Sequence, residues 1–406
     1  MLLLVLTALL LTAAAAALGL TILLIGLQRV FAVAPVLSHE STVEPSPPTS
    51  SLTVVIPAYN EAANISRCLS SVLRNEPPCK DWRVVVVDDD SNDDTVSLAC
   101  ATIATTPSQA HTSLLQAGPR PSTERWVGKN WACTRAMESV ATDWVLFIDA
   151  DVELAPQTLR RALAQANAEE ADLFSLAPRL VCSCLAEWMV QPIMASLLGL
   201  GFPMEETNNP NSPVAFAAGP FMLFRRQAYT AIGGHRALAA EVVEDLALAR
   251  RIKESGYRLR YCLGLDAVDL QMYADLSALW EGWSKNWFLG LDRSVAKALG
   301  AGGVVLLMFS GPWLIAASAA TTLLWLSNNH TSTQTIAVAS AAALLGVIGI
   351  GLQLVLRLWI RQRFAVPLTY WWLMGMGGLI VAAIAPTSVW RSLTGKGWTW
   401  KGRPLA

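Results

Sequence analysis

Two carboxylates, Asp149 and Asp151, directly follow the apolar run Trp144–Ile148. Five consecutive apolar residues predict a strand buried on both faces of a parallel sheet, and ligands of open α/β sheets bind at the carboxyl ends of strands. Magnesium usually takes one or two protein carboxylates and completes its shell with water and phosphate oxygens. An Asp-x-Asp at a strand end therefore indicates a divalent-cation site that also grips a diphosphate; a polar loop after a strand is the alternative.

Other polar loops fall where such a sheet would bring them to the same edge. A nucleoside diphosphate needs acceptors for its base and ribose, a cation for its phosphates and a lysine to balance charge. The acidic residues that begin the helix after the second strand can be explained by the helix dipole, but the two aspartates at the strand end cannot. The candidate nucleotide-binding residues are Pro57, Tyr59, Glu61, Asp88, Asp89 and Lys129.

A second pair of acids, Glu244 and Asp245, opens an amphipathic helix that ends near Gly256. A carboxylate at a helix start is readily ionised and can accept a proton from an attacking hydroxyl. Both residues are therefore candidates for a general base. The alternative is an acidic helix terminus with no catalytic role.

The elements that must position these residues alternate between strand and helix, which predicts a parallel sheet built from βαβ units. Asn60 is the expected N-cap of the first helix after the linker. The expected elements are a strand at Thr53–Pro57, a helix at Glu61–Leu73, a strand at Arg83–Val87, a helix near 130–140, a strand around Val145, a helix from Pro156 and a strand at Leu173–Ala177.

The composition favours a membrane enzyme. The chain has 406 residues, of which 53% are hydrophobic and 15% charged, and its mean hydropathy is +0.41, which is too apolar for an ordinary soluble enzyme. A net charge of −1 gives no electrostatic case for nucleic-acid binding. The odd number of cysteines, seven, favours a reduced compartment.

The first apolar segment, Leu2–Leu27, carries no charge and is long enough to span a bilayer. A cleaved signal peptide ending at Ala32-Val33-Ala34 is the alternative. The segment lacks a basic n-region and exceeds the usual apolar length, so an uncleaved anchor is expected. Arg29, on its carboxyl side, predicts that the following residues are cytoplasmic.

Three further apolar segments follow residue 300: Gly303–Leu326, Thr335–Leu356 and Pro367–Pro386. Arginines precede the third segment and a basic tail follows it, and basic residues favour the cytoplasmic side. A segment that crosses the membrane once has its ends on opposite sides, so a full crossing cannot place both ends in the cytoplasm. A re-entrant hairpin bent at Gly375–Gly378 is therefore expected, with a helix in the membrane interface as the alternative. The basic, Trp-rich tail is typical of a membrane-surface segment.

Four motifs, in this order, resemble those of family 2 glycosyltransferases: Thr53–Glu61, Val87–Thr95, Asp149–Asp151 and Glu244–Gly256. The resemblance covers about residues 50–265. It implies a GT-A fold (α/β, Rossmann-like), a nucleotide-sugar donor, Mg²⁺ or Mn²⁺, and inversion at the anomeric carbon.

Carried over by position, the resemblance implies that Asp89 contacts the nucleobase and that Pro57 and Glu61 lie beside the nucleoside. It also makes Asp151, with Asp149 beside it, the metal ligand, and Asp245 the general base. Two positions depart from the family pattern. Asp90 replaces a usual glycine, and Glu281–Trp287 replaces the Gln-x-x-Arg-Trp of processive enzymes, which argues against a polymer synthase.

A narrower resemblance rests on Trp126–Ala132, Ala218–Leu223 and Ile232–Arg236. These segments are similar to membrane glycosyltransferases that act on isoprenoid lipids, including cyanobacterial carotenoid 2′-O-glycosyltransferases and hopene-associated glycosyltransferases. His235 is either a turn residue or a substrate contact.

Together these observations predict a membrane-bound, inverting glycosyltransferase that transfers one sugar to a hydroxyl of a lipophilic acceptor. The acceptor expected first is a carotenoid. Another lipid (hopanoid, sphingolipid-like or polyprenyl) and a non-catalytic membrane subunit are the alternatives. An aromatic cluster, Trp280, Trp283, Trp287 and Phe288, is expected to form a lipid-side entrance or an interface belt. The expected organisation is an anchor (1–34), a linker (35–51), a GT-A domain (52–298), membrane segments (299–390) and a basic aromatic tail (391–406).

Overall fold

A computed structural model describes residues 1–39, 50–328, 332–394, 399–401 and 403–404. Most of the expected linker, and Lys396 and Trp398 of the tail, lie outside the described residues. The chain divides into two compact units. The sheet unit comprises residues 33–181, 202–272 and 397–406, and the helical unit comprises residues 1–32, 182–201 and 273–396.

The strands of the described chain belong to the sheet unit. They are β1 (Ser51–Ala58), β2 (Asp81–Asp88), β3 (His111–Gln116), β4 (Trp144–Ile148), β5 (Val152–Leu154), β6 (Leu173–Ala177), β7 (Arg179–Leu180), β8 (Phe221–Arg225), β9 (Leu259–Leu263), β10 (Val268–Leu270), β11 (Thr399–Trp400) and β12 (Arg403–Pro404).

The helices are shared between the two units. They are α1 (Leu2–Ala32), α2 (Ile65–Leu73), α3 (Thr95–Thr105), α4 (Gly128–Met137), α5 (Thr158–Ala168), α6 (Leu185–Gly201), α7 (Met204–Asn208), α8 (Arg226–Ala231), α9 (Glu244–Glu254), α10 (Leu276–Gly290), α11 (Val295–Val305), α12 (Gly311–Ser327), α13 (Thr333–Phe364) and α14 (Met374–Leu393).

The main sheet has the strand order β3-β2-β1-β4-β8-β6-β9. The expected parallel pairing holds from β3 to β4 and between β6 and β9, but β8 is antiparallel to both of its neighbours. All five residues of β4 are buried, because β4 is a central strand with apolar side chains packed on both faces of the sheet. The α/β fold class expected from the sequence is confirmed.

The first helix of the sheet unit begins later than expected, at Ile65, and Asn60 is not its cap. Asn60 instead adopts a left-handed backbone with φ of 51°. Its N–H donates to Ser91 Oγ (2.9 Å), and its Oδ1 accepts from the N–H of Asn92 (3.0 Å). The residue therefore ties the loop after β1 to the loop after β2.

Within the described part of the helical unit, four helical stretches are long and apolar enough to cross a membrane: Leu2–Ala32, Val295–Ser327, Thr333–Phe364 and Trp371–Leu393. Leu6 of α1 packs with Leu326 and Ala339, at the end of α12 and the start of α13. At the other end of α1, the carbonyl of Phe31 accepts a hydrogen bond from Arg363 of α13 (2.7 Å). Helices α1 and α13 therefore run in the same direction.

The expected re-entrant hairpin is wrong, because α14 runs unbroken through Gly375–Gly378. The glycines permit close packing instead of a bend. A Cβ at Gly378 would lie 2.5 Å from Ser310 Oγ, and one at Gly377 would overlap the carbonyl oxygen of Met189. The opposite face of α14 is an exposed apolar stripe at helical spacing, which continues the exposed Trp372 of the preceding turn: Met376, Leu379, Ala383, Pro386, Trp390 and Leu393.

Of the two expected roles of the aromatic cluster, the interface belt is wrong for Trp283, Trp287 and Phe288, which are buried inside the helical unit. Trp283 Nε1 donates to Gln191 Oε1 (3.0 Å), and Trp287 Nε1 donates to the carbonyl of Ala298 (3.1 Å). Their polar atoms are satisfied internally, so these rings serve as packing between helices.

Candidate active site

The loops that carry the candidate residues leave one edge of the sheet. Ala58, the last residue of β1, pairs with Asp88, the last residue of β2, and Asp88 pairs with Gln116 at the end of β3. β4 is parallel to β1 and ends at Ile148, immediately before Asp149. The strand register thus brings the nucleotide-binding candidates and the Asp-x-Asp together, as the sequence predicts.

Lys129, in the first turn of α4, lies between two carboxylates. Its Nζ is 2.6 Å from Asp149 Oδ1 and 2.6 Å from Glu244 Oε1. Burial lowers the pKa of Lys129, but the two carboxylates outweigh it and raise the pKa well above its ordinary value. Lys129 is therefore a fixed cation that joins the Asp-x-Asp loop to the start of α9.

The second aspartate of the motif, Asp151, has a buried Oδ1 with no hydrogen-bond partner in the described chain. Burial, followed by repulsion from Asp149 and Glu61, raises the pKa of Asp151 well above its ordinary value. Such a site is unfavourable for a bare carboxylate and would be relieved by a cation or a proton. Asp149 and Asp151 offer hard oxygen ligands of the kind Mg²⁺ and Mn²⁺ prefer, so the residues present fit a divalent cation.

Asp245 is held by main-chain donors at the start of α9. Its Oδ1 accepts from the N–H of Leu246 (2.7 Å), and its Oδ2 from the N–H of Gly219 (3.3 Å). A Cβ at residue 219 would lie 2.9 Å from Oδ2, so glycine permits this approach. Burial and the neighbouring Glu244 raise the pKa of Asp245 to about 6, against the lowering effect of Lys129. Asp245 is thus ionised at neutral pH and more basic than an exposed aspartate, whereas the sequence argument expected the helix dipole alone to set its charge.

At the end of β2 the two aspartates have different surroundings. The N–H of Ser91 donates to Asp88 Oδ2 (3.2 Å), while the buried Oδ1 of Asp88 lacks a partner in the described chain. Asp89 Oδ2 lies 2.5 Å from Arg120 Nη2. Any side chain at residue 128 would overlap this ion pair, which explains the glycine that opens α4.

The loop after β1 holds the remaining candidates. Pro57 lies within β1 opposite Val87, and Tyr59 and Glu61 follow the strand end. The N–H of Glu61 donates to Thr95 Oγ1 (2.7 Å), which links this loop to the start of α3. The structure therefore places Pro57, Tyr59 and Glu61 beside Asp88 and Asp89.

Sequence reasoning missed three cations in this region. Arg120 follows β3, and Lys401 and Arg403 belong to the tail, which was expected at a membrane surface. Lys401 Nζ is 2.6 Å from Glu61 Oε1, and Arg403 Nη1 is 3.0 Å from Asp89 Oδ2. The Gly-Pro-Arg-Pro and Lys-Gly-Arg-Pro segments that carry them show no periodic pattern.

His235 is part of the core. It is buried, its Nδ1 is hydrogen-bonded to the hydroxyl of Tyr229 (2.7 Å), and its ring packs edge-on against Phe147. Burial lowers its pKa to about 3, so the imidazole is neutral. Of the two interpretations of His235, these contacts support the turn residue.

Comparisons with known proteins agree with this geometry. The model of glycosyl transferase family 2 matches residues 53–233. The 4,4'-diaponeurosporenoate glycosyltransferase of Staphylococcus aureus (strain MRSA252) is 26% identical over 262 residues, which cover 64% of this chain and 66% of the relative. The match thus spans slightly less than two thirds of that relative.

A solved structure shares the fold across nearly the whole chain. It is the mannosyltransferase PcManGT from Pyrobaculum calidifontis in complex with GDP-Man and Mn²⁺, with a TM-score of 0.51, 18% identity, and coverage of 95% of this chain and 99% of that chain. The chain therefore shares the α/β GT-A fold of this solved structure.

Replacing Lys129 by Met should destabilise the metal-free protein in a pH-dependent way. A carboxyl group whose pKa is higher in the folded than in the unfolded state does not lower the free energy of unfolding while it is protonated in both states. As the pH rises and the carboxyl ionises, it destabilises the fold. Without the Lys129 cation, Asp149, Asp151 and Glu244 repel one another unscreened. We expect a cost of about 1–2 kcal/mol at pH 8, or an unfolding temperature lower by roughly 2–8 °C, that shrinks towards pH 4.

Differential scanning fluorimetry in detergent and EDTA measures this effect, with Lys297→Met, at an exposed ion pair of the helical unit, as the control. An equal loss of stability at pH 4 and pH 8 would contradict the assignment of Lys129 as the cation of the cluster.

Proposed function

We propose that this chain is a membrane-bound, inverting glycosyltransferase that moves one sugar from a nucleotide-sugar donor to a lipophilic acceptor. The observation that supports it best is Lys129, which contacts Asp149 of the proposed metal site and Glu244 beside the proposed base. One side chain thus links the group that would hold the departing diphosphate to the helix that would activate the acceptor.

The donor half would use the residues at the strand ends. Asp89 is the proposed contact to the base, and Pro57, Tyr59, Glu61 and Asp88 border the nucleoside. Asp149 and Asp151 would hold Mg²⁺ or Mn²⁺; when bound, the cation neutralises the negative charge that develops on the diphosphate. The structural neighbour was solved with GDP-Man and Mn²⁺, which supports a divalent cation at this site. The nucleobase and the sugar of the donor are to be identified by experiment.

The acceptor half would use Asp245. Its carboxylate accepts the hydroxyl proton as the acceptor oxygen bonds to the anomeric carbon, on the face opposite the diphosphate. The bond to the diphosphate breaks, and the diphosphate keeps the electron pair. A base with a pKa of about 6 is ionised at neutral pH, so it can accept this proton.

The acceptor we favour is a carotenoid. The relative from S. aureus is named for 4,4'-diaponeurosporenoate, a carotenoid acid, which supports a carotenoid acceptor and introduces a second nucleophile, the carboxylate. A carboxylate is already ionised and needs no general base, whereas a hydroxyl does. The 2′-hydroxyl expected from the sequence and a carboxylate are therefore separable by the need for Asp245.

Asp151→Asn tests the metal site. Loss of one ligand should weaken Mn²⁺-dependent binding of UDP and GDP by at least about tenfold and abolish transfer, since even outer-shell changes at metal sites cost 10–100-fold. Isothermal titration of the purified full chain with each nucleotide, with and without Mn²⁺, measures this. Asp94→Asn, an exposed aspartate at the start of α3, is the control, and unchanged metal-dependent affinity in Asp151→Asn would refute the assignment.

Asp245→Asn tests the base. With a hydroxyl acceptor, turnover should fall by about 10²–10⁴-fold while nucleotide affinity stays near that of the parent. The parental rate should rise about tenfold per pH unit below pH 6 and level off above it, because the proton must leave Asp245 first. The rate of the Asp245→Asn variant should not show this rise below pH 6.

The control is Glu254→Gln, an exposed acid at the other end of α9, and Glu244→Gln should reduce turnover less than Asp245→Asn. Near-parental turnover of Asp245→Asn with an intact pH profile would exclude Asp245 as the base. With a carotenoid acid as the acceptor, that result would identify a carboxylate nucleophile.

The chain connectivity supports a membrane topology in which α14 does not cross. Helix α1 ends at residue 32, and the sheet unit begins at residue 33. The Arg363–Phe31 hydrogen bond places the end of α13 on that same side. Residues 399–404, which follow α14, also belong to the sheet unit. A chain that leaves the sheet unit and re-enters it in this order would have both ends of α14 on one side of the membrane, and the exposed apolar stripe of α14 is suited to the lipid of the interface.

The positive-inside rule supports a cytoplasmic location for the carboxyl ends of α1 and α13, because these ends carry basic residues: Arg29, Arg357, Arg361 and Arg363. An acceptor dissolved in the bilayer and a donor from the cytosol would then meet at the same membrane face.

Cysteine labelling in intact cells tests this topology. Thr369→Cys and Thr394→Cys flank α14, and both should resist an impermeant maleimide until the membrane is permeabilised. Cys100, exposed on α3, is the built-in reporter for the sheet unit and should behave in the same way. Labelling of one flank but not the other would show that α14 crosses the bilayer.

A further inference from the structure

The tail contributes a small basic hairpin to the sheet unit. β11 pairs antiparallel with β12, with Thr399 opposite Pro404 and Trp400 opposite Arg403. Lys401 lies in the turn between them, with φ of 49°. Each of the two cations, Lys401 and Arg403, is bonded to a loop that is proposed to border the nucleoside.

Lys401 binds the loop after β1. Besides its ion pair with Glu61, Nζ donates to the carbonyls of Asn60 (2.8 Å) and Tyr59 (3.3 Å). An ammonium has three protons to donate, so these three oxygens can accept all of them.

Arg403 bridges both loops. Its Nη1 donates to the carbonyl of Asp89 (2.7 Å) and to Asp89 Oδ2 (3.0 Å), after β2. The guanidinium also lies over the ring of Tyr59, 4.8 Å from the ring centroid, after β1. A planar guanidinium can stack and hydrogen-bond at once, which an ammonium cannot do.

The hairpin contacts neutralise the acids of this region. Lys401 pairs with Glu61, and Arg403 pairs with Asp89, which follows the buried Asp88. Burial raises the pKa of Asp89, whereas Arg120 and Arg403 act to lower it. The two arginines thus favour an ionised Asp89, the form that can accept a hydrogen bond from a base.

From these contacts we propose that Lys401 and Arg403 are positioning residues of the donor site, which hold the two loops in the form that binds the base and ribose of a nucleoside diphosphate sugar. The inference rests on the proposed function. Lys401 and Arg403 contact the loops after β1 and β2, so their action is expected on the nucleoside half of the donor.

Nucleotide titration of the purified full chain in detergent tests the proposal, with UDP and GDP in Mn²⁺ as probes. Arg403→Ala should raise the dissociation constant of the nucleotide that binds by at least about tenfold. Arg403→Lys, which keeps the charge but loses the stacking plane, should restore only part of the affinity. Turnover at saturating donor should remain within about threefold of the parent, so that the effect falls on KM.

Three measurements separate a positioning role of Arg403 from a general effect on the fold. Pyrophosphate with Mn²⁺ lacks a nucleoside, so its affinity should be unchanged in Arg403→Ala. Arg83→Ala, at an exposed ion pair with Asp81 at the start of β2, should leave both affinities unchanged. A combined Tyr59→Ala and Arg403→Ala variant should lose less affinity than the two single losses multiplied, because the two side chains act together.

The outcomes are distinct. Unchanged nucleotide affinity in Arg403→Ala would overturn the proposal, and tighter binding would show that the hairpin excludes the donor. Equal weakening for nucleotide and pyrophosphate would show a general effect on the fold and would also overturn it. A parent chain that binds neither nucleotide would contradict the proposed function itself.

Discussion

The cation of Lys129 is the interaction on which the rest of the site depends. It stands between Asp149 and Glu244, which come from segments almost a hundred residues apart, and Asp151 lies in the same acidic cluster. Carboxylates packed this closely cannot all ionise unless a positive charge accompanies them. A single lysine in the first turn of α4 therefore joins the Asp-x-Asp loop to the start of α9 and offsets part of their negative charge. Three carboxylates share this one cation, so the site remains acidic and is suited to a further, divalent cation.

Close approach of the main chain makes this arrangement possible. Gly128 leaves room for the Asp89–Arg120 pair, and Gly219 brings its N–H to Asp245. In the helical unit, Gly377 and Gly378 do the same for the packing of α14. In each case the missing side chain allows a polar group or a backbone to come within contact distance. The glycines are placed where two elements meet, in the strand-end loops as well as between the helices.

The sequence was informative where local pattern and structure coincide. Five apolar residues followed by Asp149 and Asp151 predicted a buried strand with acids at its end, and strand-helix alternation predicted the α/β fold. Prediction from the sequence failed where contacts between residues distant in the chain determine the local conformation. Asn60 has the composition of a cap, but its hydrogen bonds to the loop after β2 set its conformation. Gly375–Gly378 suggested a break, yet packing against Met189 and Ser310 supports a helix. Arg120, Lys401 and Arg403 belong to segments without periodicity, so no local signal could connect them with Asp89 or Glu61. The metal and base roles of the acidic residues follow from resemblance and geometry, and they remain predictions.

The contact between Lys401 and Tyr59 joins residues separated by 342 positions in the chain. The loop after β1 is among the first parts of the sheet unit to leave the ribosome, whereas its basic partners are among the last. Helix α6 and helices α10 to α14 of the helical unit are synthesised between them. The loops after β1 and β2 therefore gain these contacts only after translation has passed Arg403. A nascent chain that ends before the hairpin has the strands and the acidic loops, but it lacks the two cations that fasten them.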